Sequence, residues 1–158
     1  MKTIEKIIIA AVVGTTLMTL YSYRKAQREN SEFVEPVLIN KLVDNSKHLP
    51  DMPVNHPIGW LMHYSIGIGF VAAYWLIWQK ALHKPTFLKI AIIGSASGLI
   101  GIVTWKLLFA QHDNPPKNDR EAYYQQLFIA HIIFSATALA TYKRLDDMER
   151  SSFKRYNR

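Results

Sequence analysis

Apolar residues along this chain do not recur at the period of a half-buried strand or surface helix. They are gathered into four blocks, at about residues 4–22, 57–78, 87–110 and 123–142. A helix needs about 20 mainly apolar residues to cross a hydrocarbon core some 30 Å thick. In lipid the backbone must satisfy its own hydrogen bonds, which favours helices for segments of this kind. The third block meets the requirement most fully, with Ile90, Ile92, Ile93, Leu99, Ile100, Ile102, Val103, Leu107, Leu108 and Phe109. The second adds aromatics, the first is shorter, and the fourth is the most polar. The pattern therefore predicts an all-α membrane protein, a four-helix transmembrane bundle over residues 1–145, followed by a charged tail at 146–158.

The connection 23–56 is too long to be a simple turn and has a pattern of its own. Pro36 suits the first turn of a helix, with Ser31 and Glu32 ahead of it. Val37, Leu38, Lys41, Leu42 and Val43 then give a short amphipathic stretch. Two placements are open: flat in the membrane interface, or capping the bundle. Leu49-Pro50-Asp51-Met52-Pro53 ends the stretch, and Asn55-His56-Pro57 opens the second span with proline in its first turn.

Charge orients the bundle. Four crossings put both termini and the 79–86 loop on one side, with eleven Lys and Arg against four Asp and Glu. The other side, with the 23–56 and 111–122 loops, carries seven against eight. The excess of basic residues places the side with both termini in the cytoplasm. Arg24, Lys25 and Arg28, directly after the first block, run against that assignment. Lys2 and Lys6 before an apolar run resemble a signal peptide, but Tyr21-Ser22-Tyr23-Arg24-Lys25 offers no small-residue cleavage site, so an uncleaved span is expected. The net charge of +7 comes from residues flanking apolar blocks, which suits anionic lipid and not nucleic acid. There is no cysteine, which excludes disulfides and thiolate metal sites.

Lipid tails are as apolar as leucine, so membrane helices associate where small residues let backbones approach. Each block offers such a stripe. Gly14 lies in the first, Gly67 in the second, Gly94 and Gly98 as a GxxxG in the third, and Ala130, Ser135 and Ala138 in the fourth. The stripes predict a tight bundle within one chain, with a homo-oligomer through Gly94 and Gly98 or a membrane-protein partner as the other uses of such a surface. The second and fourth blocks also match each other: His63 and His131 are each followed eleven residues on by Tyr74 and Tyr142. Two repeated helical hairpins would produce this, and so would coincidence in Ala-rich segments.

Ionisable side chains inside a span cost roughly 2.5–3.5 kcal/mol for a central Lys or Asp and usually face the bundle interior. His63 and His131 lie inside spans that start from the same side, and the helical rise sets both roughly 9–12 Å below the outer boundary. His56 precedes His63 by seven residues, His112 follows the third block, and Lys106 lies near that block's outer end. These five, with Tyr64, define a candidate ligand or polar site. Neutral imidazole binds metals and haem iron, so His63 and His131 are the candidate ligands for haem b or a divalent metal. The competing reading makes them interhelical hydrogen-bond formers, with Lys106 snorkelling to headgroups. No zincin motif, nucleophile elbow, phosphate loop or carboxylate pair is present.

The order of features resembles the YagU-like family of small bacterial inner-membrane proteins. The resemblance rests on the small-residue first helix, the Pro-containing outer segment, the His63-Tyr64-Ser65 helix, the Gly-rich third helix running into Pro115-Pro116, and the His131 helix, over about residues 7–145. It implies a class and no particular reaction, and it points again to His63 and His131. The expected function is that of a small, non-enzymatic integral membrane protein in envelope physiology or serving a membrane-protein partner. The alternatives are a haem- or metal-binding redox subunit and a small transporter or channel.

Overall fold

A computed structural model describes residues 1–156 and, among these, contains five helices and no strand. They are α1 (Thr3–Glu29), α2 (Glu35–Asp44), α3 (Pro57–His83), α4 (Phe87–Gln111) and α5 (Arg120–Tyr156). Three of them, α1, α3 and α4, are long and apolar enough to cross a membrane, which makes this a membrane protein by length and composition. The fourth apolar block forms part of α5, whose Tyr, Gln, His and charged residues keep it out of that set.

The helices outrun the apolar blocks because helical hydrogen bonding continues into the polar flanks. The first runs to Glu29 and closes on Asn30, whose positive φ of 50° supplies a left-handed cap. The second continues to His83, but Trp78 has non-helical angles (φ −147°, ψ 66°), so a break falls where the apolar block ends. The Thr86 side chain caps α4 by accepting from the Lys89 N–H. The tail expected to be separate from the bundle continues α5 as far as Tyr156, and residues 157 and 158 lie outside the described residues.

The long helix α5 is the spine, packed along α1 on one flank and α4 on the other, each antiparallel to it. Its neighbour α3 also packs on α1, whereas α3 and α4 barely meet. The bundle is thus closed on three sides and parted on the fourth. Small residues make the close crossings. A Cβ on Gly14 would lie 3.0 Å from the Phe134 ring, and one on Gly67 2.1 Å from the Thr15 hydroxyl. A Cβ on Gly94 would lie 2.9 Å from the Ile132 backbone, and one on Gly98 2.9 Å from the Phe128 ring. Gly94 and Gly98 therefore pack inside the chain, against α5, the use of the small-residue stripes that the sequence favours.

At one end, buried Lys6 of α1 pairs with Asp146 of α5 at 2.8 Å and with Glu149, and His83 of α3 meets Asp146 at 3.0 Å. The start of α1, the Asp146–Glu149 stretch of α5 and the end of α3 therefore lie together. At the other end α2 lies across the bundle as a roof. A Cβ on Gly59 would come 2.2 Å from the Pro36 carbonyl, and Asn40 donates to the Val54 and His56 carbonyls at 2.8 Å. The capping placement of this amphipathic helix is the one observed.

Candidate functional site

The gap between α3 and α4 deepens into a cavity of about 350 Å³ beneath α2. Met62, His63, Ile66, Gly67 and Phe70 of α3 form one wall, and Gly101, Thr104, Trp105 and Leu108 of α4 the other. Thr15 and Met18 of α1 and Leu127, His131 and Phe134 of α5 form the back, and Glu35, Ile39, Leu42 and Val43 of α2 the roof. Below it, the Tyr74 hydroxyl bridges Ser97 (2.7 Å) and Ser135 (3.0 Å), tying α3, α4 and α5 at one level. Met62, Ile66 and Leu108, at the rim, are exposed. The mouth is flanked by apolar side chains of the kind that face hydrocarbon.

His63 and His131 both reach this cavity, and each is fixed by one nitrogen. His131 Nδ1 is 2.8 Å from the Leu127 carbonyl. A carbonyl only accepts, so Nδ1 carries the proton, and the neutral ring keeps its lone pair on Nε2. His63 Nε2 is 2.9 Å from the Thr19 hydroxyl, which itself donates to the Thr15 carbonyl at 2.7 Å. With that hydroxyl proton committed, Thr19 accepts from His63 Nε2–H, and the lone pair of His63 lies on Nδ1. Among the described residues neither free nitrogen has a hydrogen-bond partner. Two imidazoles of opposite tautomer therefore line one apolar chamber, each with an acceptor to spare. Gly101 makes room for the second: a Cβ there would stand 2.8 Å from the His131 ring.

The other sequence candidates are distributed differently. His112 lines the cavity but spends both nitrogens locally, Nε2 on the Leu42 carbonyl (2.7 Å) and Nδ1 on the Asn114 N–H (3.0 Å), pinning α4 to the roof. His56 caps α3, its Nδ1 accepting from the Ile58 N–H at 3.2 Å, and does not line the cavity. Lys106 lies on the other side of α4, 5.3 Å from the centre of the Tyr124 ring. Tyr64 turns to Thr16 at 2.9 Å. The single site of five ionisable residues is thus reduced to His63 and His131, with His112 as part of the frame. Among the described residues no three His, Asp or Glu side chains are grouped to hold a metal ion. Two free imidazole nitrogens fall short of the four ligands that a structural zinc site takes.

Glu35 is the functional residue that sequence reading passed over. Its side chain is buried at 2 % exposure in the roof. Oε1 accepts from the Ser22 hydroxyl at 3.1 Å, Gln126 Nε2 donates to Ser22 Oγ at 2.5 Å, and Oε2 has no partner. Burial pushes the carboxyl up to about 7, and its own N–H, Ser22 and Gln126 offset only part of the effect. The signal available in the sequence was weak, because Ser22 and Gln126 are contributed by helices far apart in the chain.

Comparison with protein-family models, with curated protein sequences and with solved structures finds no match to this chain.

Proposed function

We propose that the chain is a four-crossing integral membrane protein that binds a membrane-dissolved amphiphile in the cavity between α3 and α4, as a binding component and not an enzyme. The observation that carries this reading is the pair of free imidazole acceptors, on His63 and His131, in a mainly apolar chamber with an apolar mouth. Pockets of this kind, mostly hydrophobic with a few placed polar groups, are the usual form of small-molecule sites. The ligand's hydrocarbon body would lie along Phe70, Trp105 and Phe134, and a polar head would meet the imidazoles.

The fourth crossing is assigned to α5. From Tyr123, against Trp105 and Phe109 at the roofed end, to Asp146, against Lys6 at the other, it runs beside three membrane-length helices. That stretch covers roughly 35 Å at 1.5 Å per residue. Its polar residues are tolerable because they face the interior: Gln126 and Ser135 are fully buried and His131 is 7 % exposed. The basic excess then puts both termini in the cytoplasm and α2 on the outer face of a bacterial inner membrane.

Photolabelling tests the binding reading. A long-chain alcohol bearing a diazirine should mark Phe70, Trp105 or the 127–134 stretch, and Thr104→Trp, which fills the mouth, should abolish the mark. Labelling spread evenly over lipid-facing residues and untouched by that substitution overturns it. The same preparation decides the haem alternative, which the free His63 and His131 nitrogens favour. A Soret band lost in either His→Ala variant would establish haem as the occupant. Topology is read by single cysteines at Ser46, Asn118 and Ser152 in this cysteine-free chain: a membrane-impermeant thiol reagent should reach the first two from outside and not the third.

A further inference from the structure

Resting on the cavity reading above, we propose that the occupant is a lipophilic amine in its ammonium form, and that Glu35 is its counter-ion. Two of the polar atoms here are acceptors by their hydrogen-bond geometry, His63 Nδ1 and His131 Nε2, and the Glu35 carboxyl, its Oε2 unpartnered, joins them once it is ionised. No Lys or Arg lines the cavity, and among the described residues none pairs with Glu35, although every other buried charged side chain there has an opposite partner. An uncompensated carboxylate in an apolar chamber is costly, and a cationic ligand removes that cost. A fatty-acid anion would meet Glu35 with like charge, and a neutral alcohol would leave its Oε2 uncompensated.

The ionic balance sets the expected behaviour. When the carboxyl is protonated, an arriving ammonium displaces that proton to solvent and a carboxylate–ammonium pair forms. The groups facing Glu35 are Ser22 from α1, Tyr123 and Gln126 from α5 and, across the shared cavity, His63 from α3, His112 from α4 and His131 from α5. None of these is a fixed positive charge. Binding should therefore tighten as pH rises through about 7.

The test uses the full chain in phosphatidylcholine nanodiscs, with empty nanodiscs as the blank, and calorimetric titration with octylammonium, 1-octanol and octanoate. Octylammonium is expected to bind at least tenfold tighter than octanol near pH 8, and to weaken on the order of a hundredfold by about pH 5 through proton competition. Glu35→Gln should bring the ammonium-to-alcohol preference to about one. If octylammonium and octanol bind alike, or octanoate binds best, the counter-ion assignment is overturned while the cavity reading stands. If none of the three binds, both fall. Should Glu35→Gln fail to fold, the wild-type pH profile decides: a flat profile for octylammonium overturns the proposal.

Discussion

Lys6 and Asp146 are 140 residues apart in sequence and 2.8 Å apart in space, and their pairing holds the start of α1 against the far end of α5. Burial raises the Asp146 carboxyl, but Lys6 and His83 more than reverse this and hold it at about 2, below its ordinary 3.8. A depressed carboxylate lends stability that is present above its unfolded value and lost as pH falls through the folded one. Asp146→Asn should destabilise the protein by roughly 2 kcal/mol near neutral pH, Lys6 keeping only Glu149. Adding Lys6→Met should recover most of that loss, because no buried ammonium is then left with a half-exposed carboxylate as its one counter-charge. Thermal unfolding in detergent checks both, and an unaltered midpoint in Asp146→Asn contradicts the role given to the pair.

Gly67 and Thr15 form the tightest helix crossing beside the cavity. Alanine at 67 would drive its methyl into the Thr15 hydroxyl at 2.1 Å, while the next nearest atoms, at 3.5 and 3.6 Å, are at ordinary distance. Gly67→Ala should therefore cost about 1–3 kcal/mol, as overpacking does. Thr15→Ala should rescue it in the double variant. Gly69→Ala, with nothing within 4 Å, should be neutral. Simple additivity in the double-variant cycle would show that the hydroxyl is not what Gly67 accommodates.

The two cavity imidazoles should be distinguishable without any ligand. Nitrogen-15 NMR of histidine-labelled protein is expected to show His63 protonated on Nε2 and His131 on Nδ1. Thr19→Val should release the first and leave the second unchanged. Identical tautomers at the two positions would contradict the hydrogen-bond assignment.

Glu35 makes stability depend on pH in the opposite sense to Asp146. Its folded value, about 7, lies above the ordinary 4.5, so its contribution is complete below about 4.5 and declines as pH rises through 7. Ligand-free wild type should lose roughly 2–3 kcal/mol between about pH 4.5 and pH 8 from this group. Glu35→Gln should flatten the curve across that window. Denaturation midpoints taken across the range check it, and a variant that keeps the wild-type slope would assign the slope to another residue.

The apolar blocks announced the helices because lipid demands length and oiliness, both local properties of sequence. The ends were less legible: α1 and α3 run past their blocks through Tyr23–Glu29 and Gln79–His83, where hydrogen bonding continues after apolarity stops. His63 and His131 stood out because an imidazole inside a span needs a reason. Lys106 looked equivalent by depth, yet it sits one residue on from Trp105, about 100° around the helix, and that rotation takes it out of the cavity. Glu35 looked like an ordinary loop acid. Its burial depends on how α2 folds back over α1 and α5, and no local pattern records that.

The hydroxyl bridge from Tyr74 to Ser97 and Ser135 fastens the α3–α4 seam at one level, with Phe70 and Phe134 packed above it. Deeper penetration would have to break that rivet, and spreading the two helices at the opposite end is resisted by α2, which His112 ties to α4 and Asn40 to the start of α3. Fastened at floor and roof, the seam is unpinned only between them, so any guest should enter sideways through that window and be limited in length by its two fastened ends.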